Sequence, residues 1–174
     1  MSNKLIIFGA GDIAELAMYY FTQDSNYEVI AFCVDEEYKN KDHFCGLPLC
    51  SSKNLVSYYD PSSHNVFVAL SYSELNLIRR KKYEFVKSLG YQLVSYISSN
   101  ATVLTDNIGE NCFILEDNTI QPFVQIGDNV TLWSGNHIGH HSVISDHTFI
   151  ASHVVISGGV KIGKQCFLGV NATL

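Results

Sequence analysis

Residues 132–163 of this 174-residue chain carry a six-residue repeat; in blocks of six they read LWSGNH IGHHSV ISDHTF IASHVV ISGGVK IG. Each block begins with an aliphatic residue, and the frame holds without a slip from Ile108 to Leu174. The frame positions are Ile108, Ile114, Ile120, Ile126, Leu132, Ile138, Ile144, Ile150, Ile156, Ile162, Leu168 and Leu174. The second position of a block is often small, and the fifth is small or β-branched in most blocks.

A period of six excludes an α-helix for this region, because each aliphatic residue would move about 240° around the helix axis. The period favours a parallel β-helix, in which each block is one side of a triangular coil and the aliphatic residue fills the interior. Three blocks make one coil of 18 residues, so residue n is expected to stack on residue n+18. The sequence therefore predicts a β-helix for residues 101–174.

The first half of the chain instead alternates apolar strands with amphipathic helices, which predicts a parallel, doubly wound sheet. The predicted strands are residues 5–8, 29–34, 66–70 and 93–97, and the predicted helices are residues 13–21 and 74–89. The run Arg79-Arg80-Lys81-Lys82 is interpreted as a solvated helix face.

The composition excludes several classes of function. Lys and Arg number 11 against 17 Asp and Glu, a net charge of −6, which argues against a nucleic-acid groove. No apolar run approaches the length of a membrane span, and the N-terminal run is too short for a signal peptide. Five cysteines without a C-x-x-C pair are typical of reduced thiols, so a cytoplasmic protein is expected.

The frame [LIV]-[GAS]-x-x-[small]-x, together with Gly9-x-Gly11 in the first half, resembles the left-handed β-helix hexapeptide acyltransferases. It is most similar to the sialic-acid O-acetyltransferase-like group, which includes bacterial nucleotide-sugar N-acetyltransferases of the bacillosamine and perosamine kind. The resemblance implies an α/β plus all-β fold. A Rossmann-like domain (1–100) would hold a nucleotide sugar, and a left-handed β-helix acyltransferase domain (101–174) would follow it.

The resemblance further implies a homotrimer, acetyl-CoA as acyl donor and a place in lipopolysaccharide, O-antigen or other surface-glycan biosynthesis. Family members normally continue for a further coil or two and a C-terminal cap. We therefore expect Leu174 to lie short of the native end, with part of the coenzyme site beyond it.

Five of the seven histidines lie between residues 137 and 153. A metal site is not predicted, because residues six apart, such as His141, His147 and His153, point to three different corners of the coil. No C-x-x-C or H-E-x-x-H spacing accompanies them.

A neutral imidazole is the usual general base near pH 7. The family's catalytic histidine maps onto His140, and His141 stands where the N-acetyltransferases often carry an acidic residue that orients the imidazole. Asp146 is a candidate for that orienting role. Two alternatives remain: His141 acts alone or jointly with His140, or His140 is a solvated loop residue.

One coil beyond these histidines lies Gly158-Gly159, and one coil before them lies Pro122-Phe123. Two glycines expose bare backbone for a pantetheine arm and for N–H groups that polarise a thioester carbonyl, although they also suit a sharp corner. Family active sites form between subunits, which implies that His153 faces a neighbour's His140. Phe149 is predicted to line the coenzyme cleft, with packing at an interface as its alternative, and Trp133 has the same two interpretations.

Gly9-Ala10-Gly11-Asp12-Ile13-Ala14 is a G-x-G-x-x-A turn between a strand and a helix, suited to approach by a phosphate. Asp35 ends the next strand and is predicted to accept ribose or base donors. Ser71-Tyr72 is predicted to lie in the crevice at the carboxyl ends of the strands. This half is too short for a full NAD-binding fold, and the resemblance implies the nucleotide of a sugar substrate instead. The alternative is a domain that only packs against its neighbour.

The resemblance, taken together with these residues, implies an acetyl-CoA-dependent N-acetyltransferase that acts on a nucleotide-linked amino sugar. Direct transfer is expected, because Cys112 and Cys166 occupy inward positions and no cysteine stands beside His140. O-acetylation of a sugar hydroxyl, and a non-catalytic nucleotide-sugar-binding trimer, are the alternatives.

Overall fold

The computed structural model describes residues 3–174, which divide into two compact units. Within that range the first unit contains residues 3–71 and Lys81–Val94, and the second contains Tyr72–Arg80 and Ser95–Leu174. The sequence placed the boundary after residue 100, whereas the second unit already includes the strand Tyr96–Ile97, which pairs with Phe113–Ile114.

The first unit is built on a mostly parallel sheet. Its strands are β1 (Asn3–Phe8), β2 (Tyr27–Val34), β3 (His43–Phe44), β4 (Leu47–Ser51), β5 (Asn65–Val68) and β6 (Gln92–Leu93). Their order is β3-β4-β2-β1-β5-β6, and only the edge pair β3–β4 is antiparallel. Apolar side chains cover both faces: Ile6 and Phe8 join one buried cluster, and the rings of Phe21 and Phe67 meet edge to face with centroids 5.1 Å apart. Burial on two faces explains why the strands are continuous apolar runs.

The helices are α1 (Asp12–Gln23), α2 (Leu55–Tyr58) and α3 (Leu77–Ser88), with single 3₁₀ turns at Glu36–Tyr38 and Ser52–Asn54. Helix α1 buries Ala14, Ala17 and Phe21, which lie on one face at helical spacing. Over the described residues 3–174, no helix combines the length and the apolar character that a membrane crossing requires.

Helix α3 begins three residues later than the sequence predicted. Glu74, Leu75 and Asn76 have φ angles of 52°, 51° and 67°, so they lie in the left-handed region and cannot be part of a right-handed helix. Asn76 tolerates this conformation, but nothing in the side chains of Glu74 and Leu75 signals it. The predicted strand 93–97 is likewise divided: Gln92–Leu93 belongs to the sheet of the first unit and Tyr96–Ile97 to the second.

The second unit is a stack of two-residue strands. They are β7 (Tyr96–Ile97), β8 (Thr102–Val103), β9 (Phe113–Ile114), β10 (Thr119–Ile120), β11 (Gln125–Ile126), β12 (Thr131–Leu132), β13 (His137–Ile138), β14 (Val143–Ile144), β15 (Phe149–Ile150), β16 (Val155–Ile156), β17 (Lys161–Ile162) and β18 (Phe167–Leu168). They form three parallel sheets, ordered β16-β13-β10-β8, β11-β14-β17 and β18-β15-β12-β9-β7. Stacked parallel sheets of this kind fit a left-handed β-helix.

The register confirms the predicted 18-residue coil. Ile120 pairs with Ile138, and Ile138 pairs with Ile156, each 18 residues further along the chain. The first coil is one residue shorter, because Thr102 pairs with Thr119. The aliphatic frame residues fill the interior, where they pack with the small or β-branched fifth residues of the blocks, Cys112, Val124, Val130 and Val154 among them.

From Asn111 to Asn171, each six-residue block places its fourth residue in the left-handed region, where the chain turns a corner. These residues are Asn111, Asp117, Phe123, Asn129, Gly135, His141, His147, His153, Gly159, Gln165 and Asn171. Asn, Asp, His and Gly tolerate this conformation better than bulky residues, which explains most of the sequence at the corners. Phe123 is the bulky exception.

Candidate active site

The histidine pair lies at the corner between β13 and β14. Gly139 precedes it and has no room for a side chain, since a β-carbon there would lie 2.6 Å from the backbone nitrogen of Gly158. His141 takes the left-handed conformation with φ 59°, which turns the chain sharply and leaves both histidine side chains exposed.

His140 stacks on Gly158, as the n+18 spacing predicted. A β-carbon on Gly158 would lie 2.7 Å from Cε1 and 2.8 Å from Nε2 of the His140 ring, so the ring occupies the space that a side chain would fill. The backbone N–H of Gly159 donates to the His140 carbonyl at 2.8 Å, and the His140 N–H donates to Oε1 of Gln121 at 2.9 Å. Contacts from both neighbouring coils therefore hold the backbone of His140.

The two imidazoles contact each other directly. Nδ1 of His140 lies 3.1 Å from Nδ1 of His141, a hydrogen bond in which one ring donates and the other accepts. The ring of Phe123 packs on His141 with a centroid distance of 4.7 Å and an interplanar angle of 38°. Sequence reasoning noted Phe123 only as a bulky residue one coil earlier, although the 18-residue period placed it beneath His141.

Asp146 was predicted as an orienting partner, and the structure gives it other contacts. Its Oδ2 lies 2.8 Å from Nζ of Lys164, and its Oδ1 accepts from the backbone N–H of Asp128 at 3.1 Å. The hydrogen bond from Lys164 lowers the pKa of the Asp146 carboxyl below its usual range. A position six residues after His140 belongs to the next corner, where Asp146 lines a groove of about 450 Å³ with Asp128 and Lys164.

Of the other histidines in this stretch, His137 lies in β13, and His147 and His153 lie at corners other than the one that carries His140. The His153 ring covers Gly135, where a β-carbon would lie 2.6 Å from Nδ1 of His153. His147 is buried, and its Nδ1 is hydrogen-bonded to Nδ2 of Asn129 at 3.0 Å. The described residues contain no group of three or more His, Cys, Asp or Glu side chains placed to hold a metal ion.

Phe149 belongs to an aromatic cluster. Its side chain is only 4% exposed and stacks on Phe167 with a centroid distance of 5.6 Å, and the Trp133 ring lies 6.3 Å away. Tyr72 packs on the same cluster, with centroids 4.9 Å from Phe149 and 4.7 Å from Phe167. Tyr72 belongs to the second unit, and its place in the crevice at the carboxyl ends of the strands stays a prediction.

In the first unit, Gly9 and Gly11 have different environments. Gly9 has φ 137°, and a β-carbon there would come within 2.5 Å of the Ala69 carbonyl oxygen, so this glycine permits the close approach of two strand ends. Gly11 caps α1 and faces open space. Asp12 is exposed and Ile13 half-buried in the first turn of α1, and Ser71 is exposed after β5.

Asp35 already has a partner in the structure. Its Oδ2 lies 2.7 Å from Nζ of Lys82, and its Oδ1 accepts from the Ser52 hydroxyl at 3.4 Å. These residues line an open cleft of about 520 Å³ together with Glu36 and Glu37. A ligand at Asp35 therefore has to share the carboxylate with a lysine.

Arg79 shows that the basic run is not a solvated helix face. Its side chain is 3% exposed and its guanidinium donates to the Asn129 carbonyl and the Thr131 hydroxyl, while Nε is buried without a partner. Burial lowers the pKa of Arg79 to about 10, which still leaves it charged at neutral pH. Arg80 donates to Oε1 of Gln165 at 2.6 Å, so two of the four basic residues contact the β-helix.

Comparisons with known proteins agree with this architecture. The sequence pattern of the bacterial transferase hexapeptide family (six repeats) matches residues 107–140. The acetyltransferase domain of PglB from Neisseria gonorrhoeae superposes with a TM-score of 0.85 at 23% identity, over 98% of this chain and 82% of that one.

A perosamine N-acetyltransferase variant from Caulobacter crescentus, solved with CoA and GDP-perosamine, gives a TM-score of 0.85 at 21% identity, over 98% of this chain and 79% of that one. The chain has the fold of these acetyltransferases. WeeI from Acinetobacter baumannii is also similar, with a TM-score of 0.69 at 21% identity, over 98% of this chain and 90% of that one. The resemblance predicted from the hexad frame is thereby confirmed.

Proposed function

We propose that this protein is an acetyl-CoA-dependent N-acetyltransferase that acts on a nucleotide-linked amino sugar, with His140 as the general base. The observation that carries the proposal is the His140 ring, held over Gly158 at an exposed corner of the β-helix. The neighbours support the substrate class, since one was solved with CoA and GDP-perosamine and another with acetyl coenzyme A.

The chemistry begins with the sugar amine, which has to lose a proton as it attacks the thioester carbonyl carbon. Nε2 of His140 takes that proton, because Nδ1 of the same ring is engaged with His141. The tetrahedral intermediate carries its negative charge on the former carbonyl oxygen. When the intermediate collapses, the carbon–sulfur bond breaks and the departing sulfur takes the proton that His140 accepted. Coenzyme A thus leaves as the thiol, the imidazole returns to its neutral form, and no acyl-enzyme is formed.

Backbone N–H groups are the proposed stabilisers of that oxyanion. The Gly159 N–H already donates to the His140 carbonyl, which makes the Gly158 N–H the candidate donor. One well-placed donor of this kind contributes about 3–4 kcal/mol to transition-state stabilisation. Gly158 also leaves bare backbone for the coenzyme arm.

The first unit is proposed to hold the nucleotide at Gly9, Gly11, Asp12, Ile13, Asp35 and Ser71. Gly11 supports this assignment, because it is exposed at the N-terminus of α1 with open space above it. We further propose a homotrimer in which His153 of one copy faces His140 of the next. The exposed position of both rings is consistent with that arrangement.

The test is acyl transfer with acetyl-CoA and a panel of nucleotide-linked amino sugars, followed by release of free thiol. Thiol release with one acceptor is expected, with a loss of roughly 100-fold or more in His140→Ala. His43→Ala is the matched control, because His43 is an exposed histidine at the edge of the other unit.

Two results would redirect or overturn the proposal. Transfer to hydroxyl acceptors alone would indicate an O-acetyltransferase. Failure of the protein to bind coenzyme A, measured by calorimetry, would exclude acyl-CoA chemistry and favour a nucleotide-sugar-binding scaffold.

A further inference from the structure

We propose that His141 is the positioning residue for His140. In this arrangement Nδ1–H of His140 donates to Nδ1 of His141 and so fixes the His140 tautomer with an unprotonated Nε2. The inference rests on the proposed function of His140 as a base. Its geometric foundation is the 3.1 Å separation of the two Nδ1 atoms.

Two neutral imidazoles that share one hydrogen bond have only two arrangements. If His141 donated, His140 would carry its own proton on Nε2 and would have no free lone pair for a substrate amine. If His140 donates, its Nε2 has a free lone pair and the spare proton of His141 lies on the exposed Nε2 of that ring. Only the second arrangement gives His140 a base at Nε2, which lies 2.8 Å from the position of a β-carbon on Gly158.

The surroundings of His141 hold its ring in place for this contact. Its backbone is in the left-handed region, its N–H donates to the Pro122 carbonyl at 3.4 Å, and the Phe123 ring covers it. Phe123 is itself held at φ 66° although its side chain is 67% exposed. A strained, bulky residue persists where its surroundings require it, and here it supports the ring of His141.

Among the described residues, neither histidine of the pair forms an ion pair. The residues packed against it from the coils on either side are Gln121, Pro122, Phe123, Gly158 and Gly159, and none of them titrates. The positive charge that develops on His140 is therefore stabilised by a charge-assisted hydrogen bond to a neutral acceptor, without an opposite charge.

Two substitutions distinguish the loss of the hydrogen-bond acceptor at residue 141 from a change in the backbone conformation of that residue. His141→Gly tolerates the left-handed conformation and removes the acceptor, whereas His141→Asn tolerates it and keeps a side-chain oxygen near the position of Nδ1. We expect kcat to fall about 100-fold in His141→Gly, with KM within about threefold, and to recover about tenfold in His141→Asn. His141→Asp adds a negative charge, so the acid limb of kcat/KM should move to higher pH.

Equal losses of kcat in the Gly and Asn variants, with an unmoved acid limb in the Asp variant, would overturn the positioning role. A purely structural residue would show that pattern.

A measurement that needs no activity completes the test. In protein labelled with ¹⁵N-histidine, NMR chemical shifts identify the protonated nitrogen of each ring at a pH where both rings are neutral. We expect His140 to carry its proton on Nδ1 in the wild type and to lose that preference in His141→Gly. A proton on Nε2 of wild-type His140 would overturn the inference even if acyl transfer is found. The expected tautomer in a protein that transfers no acyl group would instead reject the proposed function and leave the pairing intact.

Discussion

The His140 ring lies where the side chain of residue 158 would be, with its Cε1 only 2.7 Å from the position of a β-carbon on Gly158. The clash involves the far end of a side chain, so Gly158→Ala should displace the imidazole without disturbing the coil. We expect kcat to fall about 100-fold, since misplacement of a reacting group by about 1 Å has that effect, while the thermal midpoint stays nearly constant.

Gly169→Ala is the control for that change, because a β-carbon there meets nothing within 4 Å. Unchanged acyl transfer in Gly158→Ala would show that the position of the His140 ring does not limit the reaction.

Phe123 is expected to support the corner that carries His140 and His141, and at the same time to lower the free energy of unfolding. Asn occupies three other described corners in the same conformation, at positions 111, 129 and 171. Phe123→Asn should therefore raise the free energy of unfolding by about 1 kcal/mol through relief of backbone strain, and lower kcat as the His141 ring loses its support. Chemical denaturation and thiol-release assays on the same preparation measure both effects, and a variant that is no more stable would contradict the strain.

The two glycines of the first turn should respond oppositely to alanine. Gly9→Ala places a β-carbon 2.5 Å from the Ala69 carbonyl at a φ of 137°, so we expect strong destabilisation and poor soluble yield. Gly11→Ala has open space and should fold normally, but with a raised KM for the nucleotide sugar if a phosphate approaches that backbone. An unchanged KM in Gly11→Ala would argue that the phosphates bind elsewhere.

Arg79 should contribute far more to stability than its neighbour Arg80. Arg79→Ala removes two buried hydrogen bonds from a charged group and leaves a cavity, at an expected cost of about 2–4 kcal/mol in urea unfolding. Arg80→Ala removes a partly exposed contact with Gln165 and should cost about 0.5–1 kcal/mol. Similar losses in both variants would contradict a dominant role for the buried guanidinium.

The Asp146–Lys164 pair predicts a dependence of stability on acid pH. The pKa of Asp146 is lowered in the folded state, so the folded protein favours the ionised carboxylate. Its contribution is complete above about pH 4 and is lost as the pH falls through the lowered pKa. Lys164→Met should therefore be less stable than wild type by about 0.5 kcal/mol at pH 7, a small value because the pair is partly exposed. The two proteins should converge below about pH 3, and a difference that persists there would assign the effect to packing.

The β-helix could be predicted from sequence because its interior admits few residue types. Frame residues such as Ile138 and Ile156 are buried and therefore aliphatic, so the six-residue period is visible in the sequence. The same arithmetic placed Gly158 beside His140. The segment before α3 could not be predicted, since Glu74 and Leu75 take a left-handed conformation that their side chains do not signal.

Burial of Arg79 was equally invisible, because its partners are a carbonyl and a hydroxyl more than 49 residues away along the chain. The sequence of a basic run does not indicate such contacts. The hydrogen bond between the two histidines depends on side-chain rotamers, which a sequence spacing does not specify.

Because the register is 18 residues, the second unit accommodates an insertion or deletion best when it is one whole coil. Eighteen added residues keep every column in phase, whereas six rotate all that follows by one corner and bring a different turn beneath the imidazole. The stack can therefore lengthen during evolution, in steps of one coil, on either side of the corner that carries His140 and His141. Such changes have to preserve the stacking of His140 on Gly158.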